Sequence, residues 1–441
     1  MNGLDRIRRA ARRDKGLRFT NLMHHITIDL LRGSYCALKH HAACGLDDMT
    51  WHEYGEQLED RLADLHGRVQ SGRYRAQASK RSWLPKADGR QRPIGIACLE
   101  DKIVQQAAVR VLNQIYEEDF LGFSYGFRPG RSPHNALDAL WVAITRRKVS
   151  WVLDADIRSF FDTIDHRWLM RFIEHRIADP RLLRLIRKWL RAGISEEGQW
   201  SKTTVGTPQG AVVSPILANI YLHYALDLWV NKWRNNKRRG EVIIVRYCDD
   251  FVLGFQYRKD ALCFEQELQE RLGIFGLEIH HDKTRLVEFG RFAELNRAKR
   301  GEGKPETFDF LGFTHSCGRT RKGGRFTVIR KTIAKRLRVK IKEVRQAIMS
   351  CRHEPVAEQG KWLRSVMQGH LNYFGVPGNR PRTDAFRTQV IKAWFAALRR
   401  RSHKARRLTW ERFQRLVKTW IPTAKRLHPY PGERFCVTHP R

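Results

Sequence analysis

The stretch VIIVRYCDDFVLGF, residues 242–255, is an apolar run interrupted at its centre by the adjacent carboxylates Asp249 and Asp250. Val242 to Val245 on one side and Phe251 to Leu253 on the other read as two short buried strands, with a tight turn at Cys248-Asp249-Asp250. Two neighbouring carboxylates in apolar surroundings repel each other and lose hydration unless a cation satisfies them. A hard divalent ion with oxygen ligands meets that need. Asp is also common in hairpin turns for structural reasons alone, so this tetrad leaves both readings open.

A second segment decides between them. In WVLDADIRSFFDTIDH, residues 151–166, Trp151, Val152 and Leu153 form a strand that runs into Asp154 and Asp156. A strand ending in Asp156 beside the Asp249 hairpin gathers three carboxylates around one pair of ions, the arrangement of two-metal phosphoryl transfer. Alternation puts Asp154 on the same face as Asp156, so spacing alone does not exclude it. Asp162 and Asp165 read as caps of the helix that follows.

Composition points to a polyanionic partner. The chain of 441 residues carries 83 Lys and Arg against 46 Asp and Glu, a formal charge of +37, and so binds phosphates through counterion release. Its eight cysteines are scattered without a CxxC pair and read as reduced thiols, not as disulfides or a zinc site. No run of 18 apolar residues occurs, and the start MNGLDRIRRAARRDKG has no apolar core, which argues against membrane insertion and secretion.

Three regions follow from the patterning. Residues 1–80 are helical, with Trp51, Tyr54, Leu58, Leu62 and Leu65 on one stripe behind a cap at Asp47 or Thr50. Residues 81–325 alternate short strands with helices, as an α+β body does, and Arg291 to Glu306 reads as a polar connecting loop or insertion. Residues 326–441 read as helical, with stripes at Leu337, Ile341, Val344 and Ile348, at Phe386, Val390, Trp394 and Ala397, and at Trp410, Phe413, Val417 and Trp420. Between Gly378 and Arg426 there are fifteen Lys and Arg against two acids, including Arg399, Arg400 and Arg401. Lys86 and Arg92 flank an Asp-Gly turn, so both cations face one region, which suits a triphosphate.

The motifs, taken in order, resemble the reverse transcriptases encoded by bacterial group II introns. They are WLPKADGRQRPIGIACLEDKIVQ (83–105), FSYGFRPGRS (123–132), DADIRSFFDTIDH (154–166), VGTPQGAVVSPILANIYL (205–222), YCDD (247–250), GLEIHHDKTRL (276–286) and FDFLGF (308–313). Cys248 departs from the family's usual alanine, and Ala43-Cys44-Gly45-Leu46-Asp47-Asp48 departs from its opening motif at the second and last positions. The resemblance implies a right-hand polymerase, fingers and a palm with an antiparallel sheet, followed by an all-helical thumb or maturase domain. It implies Asp156, Asp249 and Asp250 as ligands of two Mg²⁺ ions, for which Mn²⁺ can substitute, with Ile157 adding a backbone carbonyl. Phe161 matches the family's sugar gate, Gln209 its contact to the incoming sugar and primer end, and Lys86 and Arg92 its triphosphate cations. Lys283 matches the lysine beside the leaving pyrophosphate, or is an exposed strand end. Arg128 and Arg131 contact template backbone or organise the fingers.

The partners implied are intron RNA, an RNA template with a DNA or RNA primer, target DNA and dNTPs, in the bacterial cytoplasm. No zinc-bearing endonuclease pattern follows the helical region. The expected activity is RNA-directed DNA synthesis with a maturase role. A host-recruited enzyme of repair or defence, and an RNA-binding splicing factor with an idle site, are the rival readings.

Overall fold

The computed structural model describes residues 3–85, 91–196, 199–201, 205–207, 210–320 and 323–438. Strand β1 (Ser79–Pro85) pairs antiparallel with β2 (Gln91–Ile96), β3 (Trp151–Asp156) belongs to a different sheet, and β4 (Ile194–Glu196) with β5 (Gln199–Ser201) extends the first to the order β2-β1-β4-β5. A second four-stranded sheet contains β6 (Val242–Tyr247), β7 (Asp250–Phe255) and β8 (Arg285–Glu288) in the order β6-β7-β3-β8, antiparallel throughout. A three-stranded sheet, β11-β10-β9, holds β9 (Phe308–Phe310), β10 (Phe313–Arg319) and β11 (Phe326–Thr332). Among the described residues no helix is long and apolar enough to cross a membrane, and all eight cysteines are free.

The β6-β7-β3-β8 sheet is covered differently on its two faces, because strand side chains alternate. Leu153, Ala155, Phe251, Leu253 and Phe255 point into a large core shared with the helices Leu99–Asp119 and Ser214–Leu222. Val152, Val245, Val252 and Val287 point the other way, into a smaller core completed by Phe308, Phe310 and Phe313 of the three-stranded sheet. That second cover spans only one end of the sheet. At the other end the same face carries Asp154, Asp156 and Asp250.

One strand residue breaks the apolar pattern. Arg246 in β6 is wholly buried and forms an ion pair with the equally buried Asp227. Its guanidinium donates from Nε to Asp227 Oδ1 (2.7 Å) and from Nη2 to Asp227 Oδ2 (2.5 Å) and Ser124 Oγ (2.7 Å). Nη1 donates to Asn219 Oδ1 (3.2 Å) and to the Cys248 carbonyl (3.0 Å). All five donors are thereby used, as a buried guanidinium requires. Asp227 reaches inward from a π-helical turn, His223–Asp227, set between the helices Ser214–Leu222 and Leu228–Asn236.

The N-terminal region is helical as read, but Trp51–Gly55 and Leu58–Gln70 are separate helices, the first capped by Thr50 with a reciprocal bond from Glu53. Asp48, at the glycine position of the family's opening motif, takes a left-handed φ of 47°, a conformation that Asp tolerates better than most residues. Two boundaries differ from the sequence reading. Arg291–Glu306 is not a plain loop, for it contains the helix Ala293–Lys299, and Arg300 beyond that helix pairs with the buried Glu288. The helical region starts at Ala334, not at 326, because Phe326–Thr332 pairs along its length with β10.

Helices Ala334–Ser350, Val356–Phe374, Arg380–Arg399 and Trp410–Trp420 then enclose a core of their own around Trp394, Phe386 and Phe413. The chain returns to the palm at its end. Helix Pro431–Thr438 packs on Pro133–Arg146, where Asp138, buried, receives both Arg330 and Arg434.

Replacing Asp227 by alanine leaves a buried guanidinium without its counter-charge, a change that costs about 3–5 kcal/mol. A denaturation midpoint well below the parent's is expected for Asp227→Ala, with partial recovery in Arg246→Met/Asp227→Leu. A single variant as stable as the parent would show that the pair does not hold the fold.

Candidate active site

The YCDD hairpin turns in two residues, Cys248 and Asp249, with Tyr247 directly opposite Asp250. Cys248 takes a φ of 60° at the first turn position, where glycine is the usual residue. The turn is held from beneath by Arg246 through the Cys248 carbonyl. It is held from the side by the FSYGF segment, whose Tyr125 N–H donates to the Arg246 carbonyl (2.8 Å) while the Phe123 carbonyl accepts from the Arg246 N–H (2.9 Å). Gly126 closes this contact: a Cβ there would lie 2.4 Å from the Cys248 nitrogen. Asn219 Nδ2 donates to the Gly126 carbonyl at 2.8 Å, so segments 123–126, 219–227 and 246–248 form one hydrogen-bonded unit.

Asp156, the last residue of β3, is the cross-strand partner of Asp250. Directly opposed like charges destabilise a strand pair, and the titration of the cluster reflects this. Asp250 is pushed well above the usual carboxylate range, first by burial and then by the charges of Asp154, Asp156 and Asp249. Asp249 is also raised by burial, with Asp156 adding to the shift and Arg92 opposing it. Asp154 is raised to about 7, by burial and then by Asp309, with Arg285 opposing.

Lys283 forms an ion pair with Asp156 Oδ2. It is brought there by the bridge between Ile157 and Ile279 and by the turn in which the Lys283 and Thr284 N–H groups donate to the His280 carbonyl. The two bonds flanking that bridge run through the Asp156 carbonyl and the Arg158 N–H, and not through the Ile157 carbonyl. Arg336, in the first turn of the thumb helix Ala334–Ser350, also acts on Asp250, so the thumb begins beside the cluster.

Phe160 is buried and Phe161, half-buried, follows it in the short helix Phe160–Thr163. The loop after β5 is pinned to that helix: the Thr207 N–H donates to the Phe161 carbonyl and the Gly206 N–H to the Ile164 carbonyl, both at 2.8 Å. Asp165 caps the next helix, as read, accepting from the Arg167 and Trp168 N–H groups. Arg92 lies exposed on β2, opposite Leu84. Lys86 and Gln209 lie outside the described residues.

Arg128 and Arg131, read as contacting template backbone or organising the fingers, are both tied into the protein itself. Arg128 is buried, grips Glu117 with Nε and Nη2, and donates from Nη1 to the Leu121 and Ser124 carbonyls at 2.9 Å. Its fork is therefore spent inside the fold, which removes it as a phosphate contact. Arg131 donates to the Gly122 and Ser124 carbonyls and lies over the Tyr125 ring, so it organises the same loop. Arg399 and Arg400 are exposed at the end of helix Arg380–Arg399, while Arg401 is half-buried with Nη2 on the His353 carbonyl.

The carboxylate oxygens suit a hard divalent cation. Asp154, Asp156, Asp249 and Asp250 crowd the open end of the sheet, where burial and neighbouring carboxylates raise Asp154, Asp249 and Asp250, with Lys283, Arg92, Arg285 and Arg336 as the cations nearby. Among the described residues no three Asp, Glu, His or Cys side chains converge into a closed metal cage. Asp156 is instead engaged by the Lys283 ammonium. The sequence reading missed the Arg246–Asp227–Asn219 unit. Its signal was present, a lone charge inside the strand VIIVRY that demands a buried partner.

A family model described as reverse transcriptase (RNA-dependent DNA polymerase) matches residues 84–315, just over half of the chain. Protein YkfC of Escherichia coli (strain K12) is 32% identical over 297 residues, covering 58% of this chain and 77% of its own length. The group II intron-encoded protein LtrA of Lactococcus lactis subsp. cremoris is 39% identical over 173 residues, 39% of this chain and 28% of its own. An uncharacterized 91 kDa protein in the cob intron of Schizosaccharomyces pombe is 44% identical over 144 residues, 33% of this chain and 18% of its own. These alignments thus span under a third of either intron-encoded relative.

Gly126→Ala should displace the YCDD turn while leaving the cores intact. Nucleotide incorporation on a primed template should fall on the order of 10²-fold, the effect of a misplacement of about 1 Å at a reacting centre, with little change in melting temperature. Parental incorporation by this variant would reject the close contact as the element that sets the turn.

Proposed function

The chain belongs to the reverse transcriptase (RNA-dependent DNA polymerase) family, and from that membership we propose that it copies RNA into DNA in the manner of group II intron-encoded enzymes. The observation that carries the reading is the pairing of Asp156 with Asp250, beside Asp249, at the open end of one sheet face. In this proposal Asp156, Asp249 and Asp250 hold two Mg²⁺ ions, which Mn²⁺ can replace, with the Ile157 carbonyl as a further oxygen. When bound, such ions would lower the pKa of a primer 3′-hydroxyl and neutralise the charge that develops on the pyrophosphate.

The chain's own residues supply position and charge. Arg92, with Lys86, takes the triphosphate, since Arg92 already acts on Asp249 across the cleft. Phe161 lies against the sugar, where an aromatic wall leaves no room for a 2′-hydroxyl, and Gln209 contacts the primer end. Lys283 stands over Asp156 and can release that carboxylate to place its ammonium on the leaving phosphate. Arg399, Arg400 and Arg401, on the basic thumb, hold RNA backbone, and the maturase role for intron RNA rests on that surface and on the intron-encoded relatives.

Asp249→Ala should abolish cDNA synthesis on an RNA template and leave RNA binding near the parent value, because the carboxylate serves cations while the basic surface serves phosphates. Retained extension would sink the site assignment. Phe161→Ala should raise incorporation of rNTPs relative to dNTPs in a competition assay, and an unchanged sugar preference would remove Phe161 as the gate.

A further inference from the structure

At the far end of the palm lies a cavity of about 950 Å³. It is bordered by Gly290, which follows β8 and whose Cβ position would meet the Val149 carbonyl beside the start of β3. The metal-ligand candidate Asp156 is at the other end of β3, five residues on from Trp151 and so roughly 17 Å away along the strand. The cavity is therefore separate from the catalytic face. Its walls come from helix Pro133–Arg146, from the segment after β8, from the β10–β11 pair and from the C-terminal return.

Four arginines reach it from different elements: Arg146, Arg291, Arg319 and Arg325. Two acids line it as well, but Glu294 pairs with Arg319 at 3.3 Å and Glu433 accepts from the Tyr430 N–H at 3.2 Å. Arg146 and Arg325 have no carboxylate partner among the described residues. Trp141, Phe326 and Tyr430 supply aromatic walls between these cations. Gly432 lets the C-terminal segment close on the floor, since a Cβ there would already be 3.2 Å from Arg146 Nη2.

Guanidinium groups interleaved with aromatic rings are the chemistry of unpaired nucleotides, phosphate on the cation and base on the ring. An acidic peptide would use the cations and leave the rings idle. We propose that this cavity is an RNA-binding site separate from both the catalytic face and the thumb surface at Arg399, Arg400 and Arg401, and that it seats one or two unpaired nucleotides of a strand that the catalytic face does not hold. This goes beyond the polymerase reading and does not depend on the carboxylate cluster.

The test uses the full chain with its catalytic cleft filled by an annealed primer–template, and titrates a short fluorescein-labelled oligouridylate. For Arg146→Gln/Arg325→Gln, affinity should fall about tenfold. The log–log salt dependence should become shallower by about 1.4, two contacts at about 0.7 each for a single strand. Primer extension should stay at the parent rate. Unchanged affinity and slope would overturn the proposal. So would displacement of the oligouridylate from the parent protein by polyglutamate of matched charge, or by AMP, as effectively as by unlabelled RNA, since either assigns the cavity to another ligand. A second measurement needs no variant. Cys436 lines the cavity and is exposed, and Cys263 is exposed on helix Arg258–Ile274 outside it. Bound oligouridylate should slow maleimide labelling of Cys436 and leave Cys263 unaffected, whereas equal rates with and without RNA would count against the site.

Discussion

The buried pair of Arg246 with Asp227 is the constraint on which the rest of the palm depends. Burying two charges is costly in itself, and a buried pair is weak evidence for stability because desolvation can exceed the attraction. What this pair contributes is position. One guanidinium with five fixed donors ties a helix (Asp227, Asn219), a loop (Ser124) and the hairpin carbonyl (Cys248) to a single point. A hydrophobic contact cannot do this, since it is not directional. The YCDD turn, with Cys248 in a left-handed conformation, is held in place by that point.

The same sheet shows why position has to be enforced. Asp156 and Asp250 face each other across two strands, with Asp154 and Asp249 close by, and burial together with the neighbouring carboxylates raises the proton affinity of Asp250, Asp154 and Asp249. Left to itself such a cluster would open. Apolar packing at the covered end, where Val152, Val245, Val252 and Val287 meet Phe308 and Phe313, keeps the strands in register, and the acids occupy the uncovered end. Stability and chemistry thus divide one sheet face between them.

A second ionic knot joins the regions. Asp138 lies between Arg330 of β11 and Arg434 of the C-terminal helix, near His315, which burial keeps neutral by lowering it to about 3. Because this knot draws the end of the chain back to the palm, the cavity behind the sheet is built from segments as far apart as residues 141 and 436.

Much of this was legible in the sequence. The hairpin at YCDD, the strand into Asp156, the Asp165 cap and the helical stripes at Leu337, Phe386 and Phe413 follow from local rules of period, capping and turn chemistry, which act over a few residues. Lys283 could be named from its motif, but its ion pair with Asp156 could not, because 127 residues separate them. Which of its two possible tasks Arg128 performs, contact with template backbone or organisation of the fingers, was hidden for the same reason, since its partner Glu117 and the two carbonyls it serves are known only from the fold. The extent of β11 and the return of the last helix were likewise invisible, since a strand edge or an apolar stripe does not say which surface will cover it. By itself the sequence determined which residues could do the chemistry and on what kind of element each would lie. Only the tertiary structure decided which charges would be buried together, because the balance of desolvation, pairing and repulsion depends on distances that chain separation does not set.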